Sequence, residues 1–153
     1  MTPVTVDDLV LDRAAWEREL DARRAEFVAY RRARRVELGE LITLDFEDRT
    51  TVAWQVNRML GIESIADADR IAEELAIYNR LLPGPRELSA TMLIGIDDAT
   101  ELRRWKPLLI GIGAAVHVEV DGERATTVPD VEGHTRTGEP PMVQYLRLSL
   151  IHI

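Results

Sequence analysis

Hydrophobic positions along the chain change their period several times, and each change marks an element. Asp12 to Arg35 holds neither Gly nor Pro and is dense in Ala, Arg, Glu and Leu, which predicts a long helix with Asp12 as N-cap and Gly39 beyond its end. Leu41 to Glu47 alternates instead: Ile42, Leu44 and Phe46 point one way and Thr43, Asp45 and Glu47 the other, the pattern of a half-buried strand. Asp48 is then placed to cap a helix over 49–60, striped by Val52, Val56, Met59 and Leu60 and stopped by Gly61. A further helix over 67–82 carries Ile71, Leu75, Tyr78 and Leu82 and ends at Pro83, Gly84 and Pro85.

Alternation returns over 88–96, with Leu88, Ala90, Met92, Ile94 and Ile96 inward and Ser89, Thr91, Leu93 and Gly95 outward. Residues 99–110 read as helical, with Pro107 tolerated only near an end or a kink. Strands over 115–120 and 123–128 flank Asp121 and Gly122, the dipeptide suited to a two-residue type I′ turn, and so predict a hairpin. Residues 129–141 mix Pro, Gly and polar groups and read as a flexible loop. A last strand over 143–150 sets Leu146, Leu148 and Leu150 against Tyr145, Arg147 and Ser149. Strands and helices without strict alternation predict an α+β fold: about five strands in a mainly antiparallel sheet, about four helices packed on one face, and one domain over 1–153.

Composition narrows the chemistry. With 46% hydrophobic residues the chain can bury a core without cross-links, and with no cysteine it has no thiolate nucleophile, no redox dithiol and no cysteine-held zinc or iron–sulfur cluster. Side-chain metal ligands would have to be His, Asp or Glu. Met1 to Asp8 shows no basic segment followed by an apolar run, so the expected location is cytoplasmic, with no membrane partner. A net charge of −8 also opposes phosphate backbones. Positive charge gathers only at Arg23, Arg24, Arg31, Arg32, Arg34 and Arg35, where Glu17, Glu19, Asp21, Glu26 and Glu37 interleave or flank it and only Phe27 and Tyr30 offer stacking rings. That makes nucleic acid a disfavoured partner; an ion-paired helix surface, or one that meets a second protein, is the better account.

The candidate chemistry lies on the strands. His117 and Glu119, two apart, share a strand face and could supply two metal ligands, with a third from Asp45, Glu47, His134 or His152; equally they are solvent-facing residues opposite Val116, Val118 and Val120. The outward residues Thr43, Asp45, Glu47, Ser89, Thr91, His117, Glu119, Tyr145 and Arg147 form either a site for a polar ligand or the wet side of a sheet. Gly111 and Gly113 follow a helix and precede a strand, the reverse of a dinucleotide loop, and fit a helix end and turn. Ser89 has no nucleophile elbow around it.

Four phrases stand out together: Phe46 to Thr51, Tyr78 to Pro83, Glu87 to Thr91 and Val143 to Arg147. In them the chain resembles a bacterial domain-of-unknown-function family (family number 3501) over most of its length. The resemblance implies a gene often encoded near those of rubrerythrin-like and iron–sulfur oxidoreductase proteins, and hence an accessory role in redox or oxidative-stress metabolism, and transfers no catalytic residue. The polar residues of these phrases, among them Glu47, Arg49, Asn79, Glu87, Gln144, Tyr145 and Arg147, are either caps and junction hydrogen bonds or one pocket. The sequence thus predicts a non-catalytic accessory or interaction protein that meets a protein partner or a second copy of itself. The alternative is a metal- or small-molecule-binding enzyme built from Asp45, Glu47, Arg49, His117, Glu119, Gln144, Tyr145 and Arg147, its cofactor unknown.

Overall fold

A computed structural model describes residues 1–129 and 142–151; the loop read over 129–141, apart from Pro129, and His134 and His152 lie outside the described residues. Contacts gather into two units, a helical one from residues 1–34 and 47–82 and a sheet one from residues 35–46 and 83–153.

The helical unit contains a 3-10 turn Val6–Asp8 and three helices, α1 Arg13–Arg32, α2 Arg49–Ile62 and α3 Ala68–Asn79. Each helix starts on an aspartate whose carboxylate accepts orphan backbone N–H groups. Asp12 takes that of Ala15, Asp48 that of Thr51, and Asp67 those of Asp69 and Arg70. Val52, Val56 and Leu60 of α2 and Ile71 and Leu75 of α3 bury their stripes together with Val4, Ile65, Leu81 and Leu82. Each such side chain contributes about 1.5–3 kcal/mol of burial. Asn79 at the end of α3 ties down the first residues, accepting from the Val4 N–H at 2.8 Å and donating to the Val4 carbonyl at 2.9 Å. Helix α2 runs through Gly61, and α3 ends at Asn79, where tight turns take over through Leu82.

The long helix stops short of its predicted end. Arg34 closes a turn on the Arg31 carbonyl, and Arg35–Leu38 form a strand, β1, paired with β2 Ile42–Phe46. Gly39, with φ +66°, lies in the turn between them and is not a helix stop. Arg35 to Leu38 alternate in polarity, and cross-strand pairing overrides their helix propensity.

The sheet unit adds β3 Glu87–Ile94, α4 Ala99–Trp105, a 3-10 turn Lys106–Leu108, α5 Ile112–Ala115, β4 His117–Val120, β5 Glu123–Pro129 and β6 Val143–Ser149. Among the described residues six strands, one more than predicted, run antiparallel in the order β1-β2-β3-β6-β5-β4. The α+β class holds. Leu44, Met92, Ile94 and Leu146 make the apolar face, packed by Trp105, Leu109, Ile112 and Val116 from the α4–α5 segment. The Thr127 hydroxyl fastens that segment, donating toward the Gly113 carbonyl at 2.5 Å and the Val116 carbonyl at 2.9 Å. Pro107 falls in the 3-10 turn after α4, and Asp121 and Gly122 take φ +52° and +84°, the two positive values of a type I′ hairpin.

Candidate functional site

Four aromatic residues of the helical unit, Trp16, Phe27 and Tyr30 of α1 and Trp54 of α2, line one cleft. Trp16, Arg23, Glu26, Phe27 and Tyr30 of α1 face Thr50, Trp54 and Asn57 of α2 across a cleft of about 310 Å³, which Asp8 and Val10 also line. Helical periodicity explains the α1 row, since 16, 23, 27 and 30 follow steps of seven, four and three. Trp54 stacks on Phe27 with ring centroids 4.5 Å apart and 11° between planes, and meets Trp16 at 5.4 Å and 51°. Arginines lie over the rings: Arg23 and Arg13 over Trp16, Arg31 over Phe27, and Arg34 over Tyr30 at 3.8 Å.

Most charge around the cleft is already matched. Asp8 pairs with Arg49 at 2.5 Å and Arg23 with Glu19 at 2.5 Å. The Thr5 backbone N–H, helped by the Arg49 charge and the Thr5 and Arg49 side-chain bonds, holds the Asp8 carboxyl below its ordinary value although burial opposes it. Asn57 locks the wall, accepting from the Val10 N–H at 2.9 Å and donating to the Ala53 carbonyl at 3.0 Å. Arg13 braces the same corner through the carbonyls of Asn57 and Val10, and burial pushes its pKa down. Glu26 is the exception: exposed on the rim, it has no hydrogen bond or ion pair among the described residues.

Below the cleft, Asp48 does three jobs at once. Besides capping α2 it accepts from the Tyr30 hydroxyl at 2.6 Å and from Arg34 Nε at 2.5 Å. Burial alone would raise its pKa; the bonds from Tyr30, the Thr51 amide and Arg34 outweigh that and bring it below the ordinary carboxylate value. Burial, aided by the same bond, raises the Tyr30 phenol. Glu47 does not extend the sheet face as predicted. The strand ends at Phe46, and the buried Glu47 carboxylate accepts from Thr51 Oγ1 at 2.5 Å and Gln55 Nε2 at 3.0 Å in the first turns of α2.

On the sheet, the register brings some predicted residues together. Arg35, Asp45, Thr91 and Tyr145 form one row across β1, β2, β3 and β6, and Ser89 and Arg147 sit side by side in the next. Asp45 is 2% exposed, and Ser89 and Thr91 are buried too, so this is not the wet face that alternation implies. Arg35 grips Asp45 bidentately at 2.7 and 2.8 Å, and that bond raises the guanidinium pKa. Arg147 bonds Glu87 at 3.4 Å, while the Glu87 carboxylate also accepts from the Gly84 N–H. Gln144 stands on the opposite face with Leu146 and Leu148, where a Cβ on Gly113 would meet its Oε1 at 2.5 Å. His117 and Glu119 lie on an edge strand, β4, both exposed, with Glu119 3.8 Å from Arg124. They do not join the Asp45–Tyr145 row, and among the described residues no three His, Asp or Glu side chains are arranged to hold a metal ion.

The comparisons attach no activity to these polar contacts. A model of the family described as protein of unknown function (DUF3501) matches residues 3–152. The chain belongs to this family. A crystal structure from Burkholderia pseudomallei, described as a novel protein of unknown function, is similar to this DUF3501 chain: the two are 32% identical with a TM-score of 0.89, over 97% of this chain and 78% of that one. No curated protein matches. Among the described residues no helix is long and apolar enough to cross a membrane. For this DUF3501 protein the cleft was missed in the sequence because Trp16 and Trp54 belong to different helices. The seven-four-three spacing along α1 was the available signal.

Proposed function

We propose that this protein is a non-catalytic accessory protein that receives a basic protein partner at the α1–α2 cleft. The observation that carries the reading is the cleft itself: four aromatic rings around about 310 Å³, where Glu26 is, among the described residues, the one charged lining side chain without an ion pair. That volume lies at the low end of ligand pockets, roughly 300–1,000 Å³, and suits an aromatic or aliphatic anchor side chain from a partner segment. A basic residue flanking the anchor would meet Glu26, and the net charge of −8 steers basic partners toward the protein. The redox connection implied by the family resemblance belongs to the same proposal. A chain without cysteine has no thiol to pass electrons, so its part in such a system is to hold a partner that does.

Defined tripeptides test this. Acetyl-Arg-Phe-Arg-amide should quench the fluorescence of Trp16 and Trp54 saturably, and acetyl-Glu-Phe-Glu-amide should not. Trp54→Ala should abolish the response. Glu26→Arg, an exposed change that leaves the core intact, should weaken it about fivefold or more. Absence of saturation with either peptide, or equal binding by both, contradicts the proposal.

A further inference from the structure

Among the described residues the sheet has two edge strands, β1 and β4, and β1 carries a self-complementary pattern. All four of its residues are exposed, Val36 by 43% and Leu38 by 42%. Bonds inside the sheet fix which backbone groups face outward. At the end of β3 the Ile94 N–H donates to the Met142 carbonyl, just before β6, and the next N–H, of Gly95, to the Leu41 carbonyl, just before β2, so successive residues along β3 address β6 and β2 in turn. Carried through the register, the alternation directs the N–H and C=O of Val36 and Leu38 to Leu44 and Ile42 on β2. Those of Arg35 and Glu37 therefore point away from the sheet.

An antiparallel partner strand must set outward-pointing residues opposite outward-pointing residues. For a second copy of β1 this permits two-fold axes at Arg35, Val36 or Glu37. Axes at Arg35 and Glu37 place like charges directly opposite, which is destabilising. The axis at Val36 sets Arg35 opposite Glu37 of the other copy, twice, and packs Val36 against Val36 on the other face. The bonds of Arg35 to Asp45 use Nε and Nη2, leaving Nη1 for the second carboxylate. We infer that β1 pairs with β1 of a second copy, antiparallel about Val36, joining the two sheets edge to edge. Strand addition of this length gives a small, concentration-dependent interface.

The chain has no cysteine, so one introduced thiol reads the register directly. Across the axis the two Val36 form a non-hydrogen-bonded pair with Cα atoms about 4.5 Å apart, within the roughly 4.4–6.8 Å a disulfide spans. Val36→Cys should convert to disulfide dimer under mild oxidation. Glu37→Cys and Leu38→Cys should stay reduced, since the offset puts their equivalents beyond about 7 Å. Sedimentation velocity should show a reversible dimer of the unmodified chain, weakened about tenfold by Glu37→Arg. A monomer at sub-millimolar concentration overturns the inference. So does equal cross-linking at the three positions, a dimer in which Val36→Cys does not cross-link, or one that Glu37→Arg leaves intact.

Discussion

Replacing Asp48 by alanine tests whether the polar residues of this fold are structural. The side chain caps α2, and losing a cap costs about 1 kcal/mol. It also accepts the Tyr30 hydroxyl, and a hydrogen bond to a charged acceptor contributes about 1.5 kcal/mol. The Arg34 pair, with side chains 32% and 17% exposed, is screened and adds about 0.5 kcal/mol. Asp48→Ala should therefore destabilise the protein by about 3 kcal/mol. Asp48→Asn, which keeps a capping oxygen but loses the charge, should cost about 1 kcal/mol. Urea unfolding followed by tryptophan fluorescence and circular dichroism measures both, with binding of the arginine tripeptide as control. An alanine cost below about 1 kcal/mol, or an asparagine variant as damaged as the alanine one, refutes the reasoning.

Three further outcomes follow from the same contacts. Asp8 and Asp48 have folded pKa values below 3.8, so the stability they supply is present above the unfolded carboxylate value and is lost as pH falls through the folded ones. Acid titration by circular dichroism should show the loss beginning below about pH 4, and Asp48→Ala should flatten it. His117→Ala and Glu119→Ala, both on the exposed edge strand, should change stability by less than about 0.5 kcal/mol in urea unfolding. Gly122→Ala forces a side chain to φ +84° and should cost about 1 kcal/mol, whereas Gly122→Asn should cost less, by thermal unfolding.

How much of this was legible beforehand depends on the range of the interaction. The Asp12 and Asp48 caps and the Asp121–Gly122 turn are local and could be read directly. Alternation located β2, β3 and β6 because one face of each packs a core. Strand β1 was hidden: no Gly or Pro separates it from α1, and only its pairing with β2 reveals it. Side-chain type identified Asp45, Glu47 and Arg147 as polar sites but not their partners, Arg35, Thr51 and Glu87, which the fold supplies. The aromatic cleft needed two helices brought together, and no single stretch of sequence displays it.

The most direct test of the account is an amide chemical-shift titration of the isotopically labelled protein with acetyl-Arg-Phe-Arg-amide. Saturable shifts clustered on Asp8, Glu26, Tyr30, Thr50, Trp54 and Asn57 are the predicted result. Shifts centred on the Asp45, Thr91 and Tyr145 row or on His117 and Glu119, or none that saturate, would contradict it.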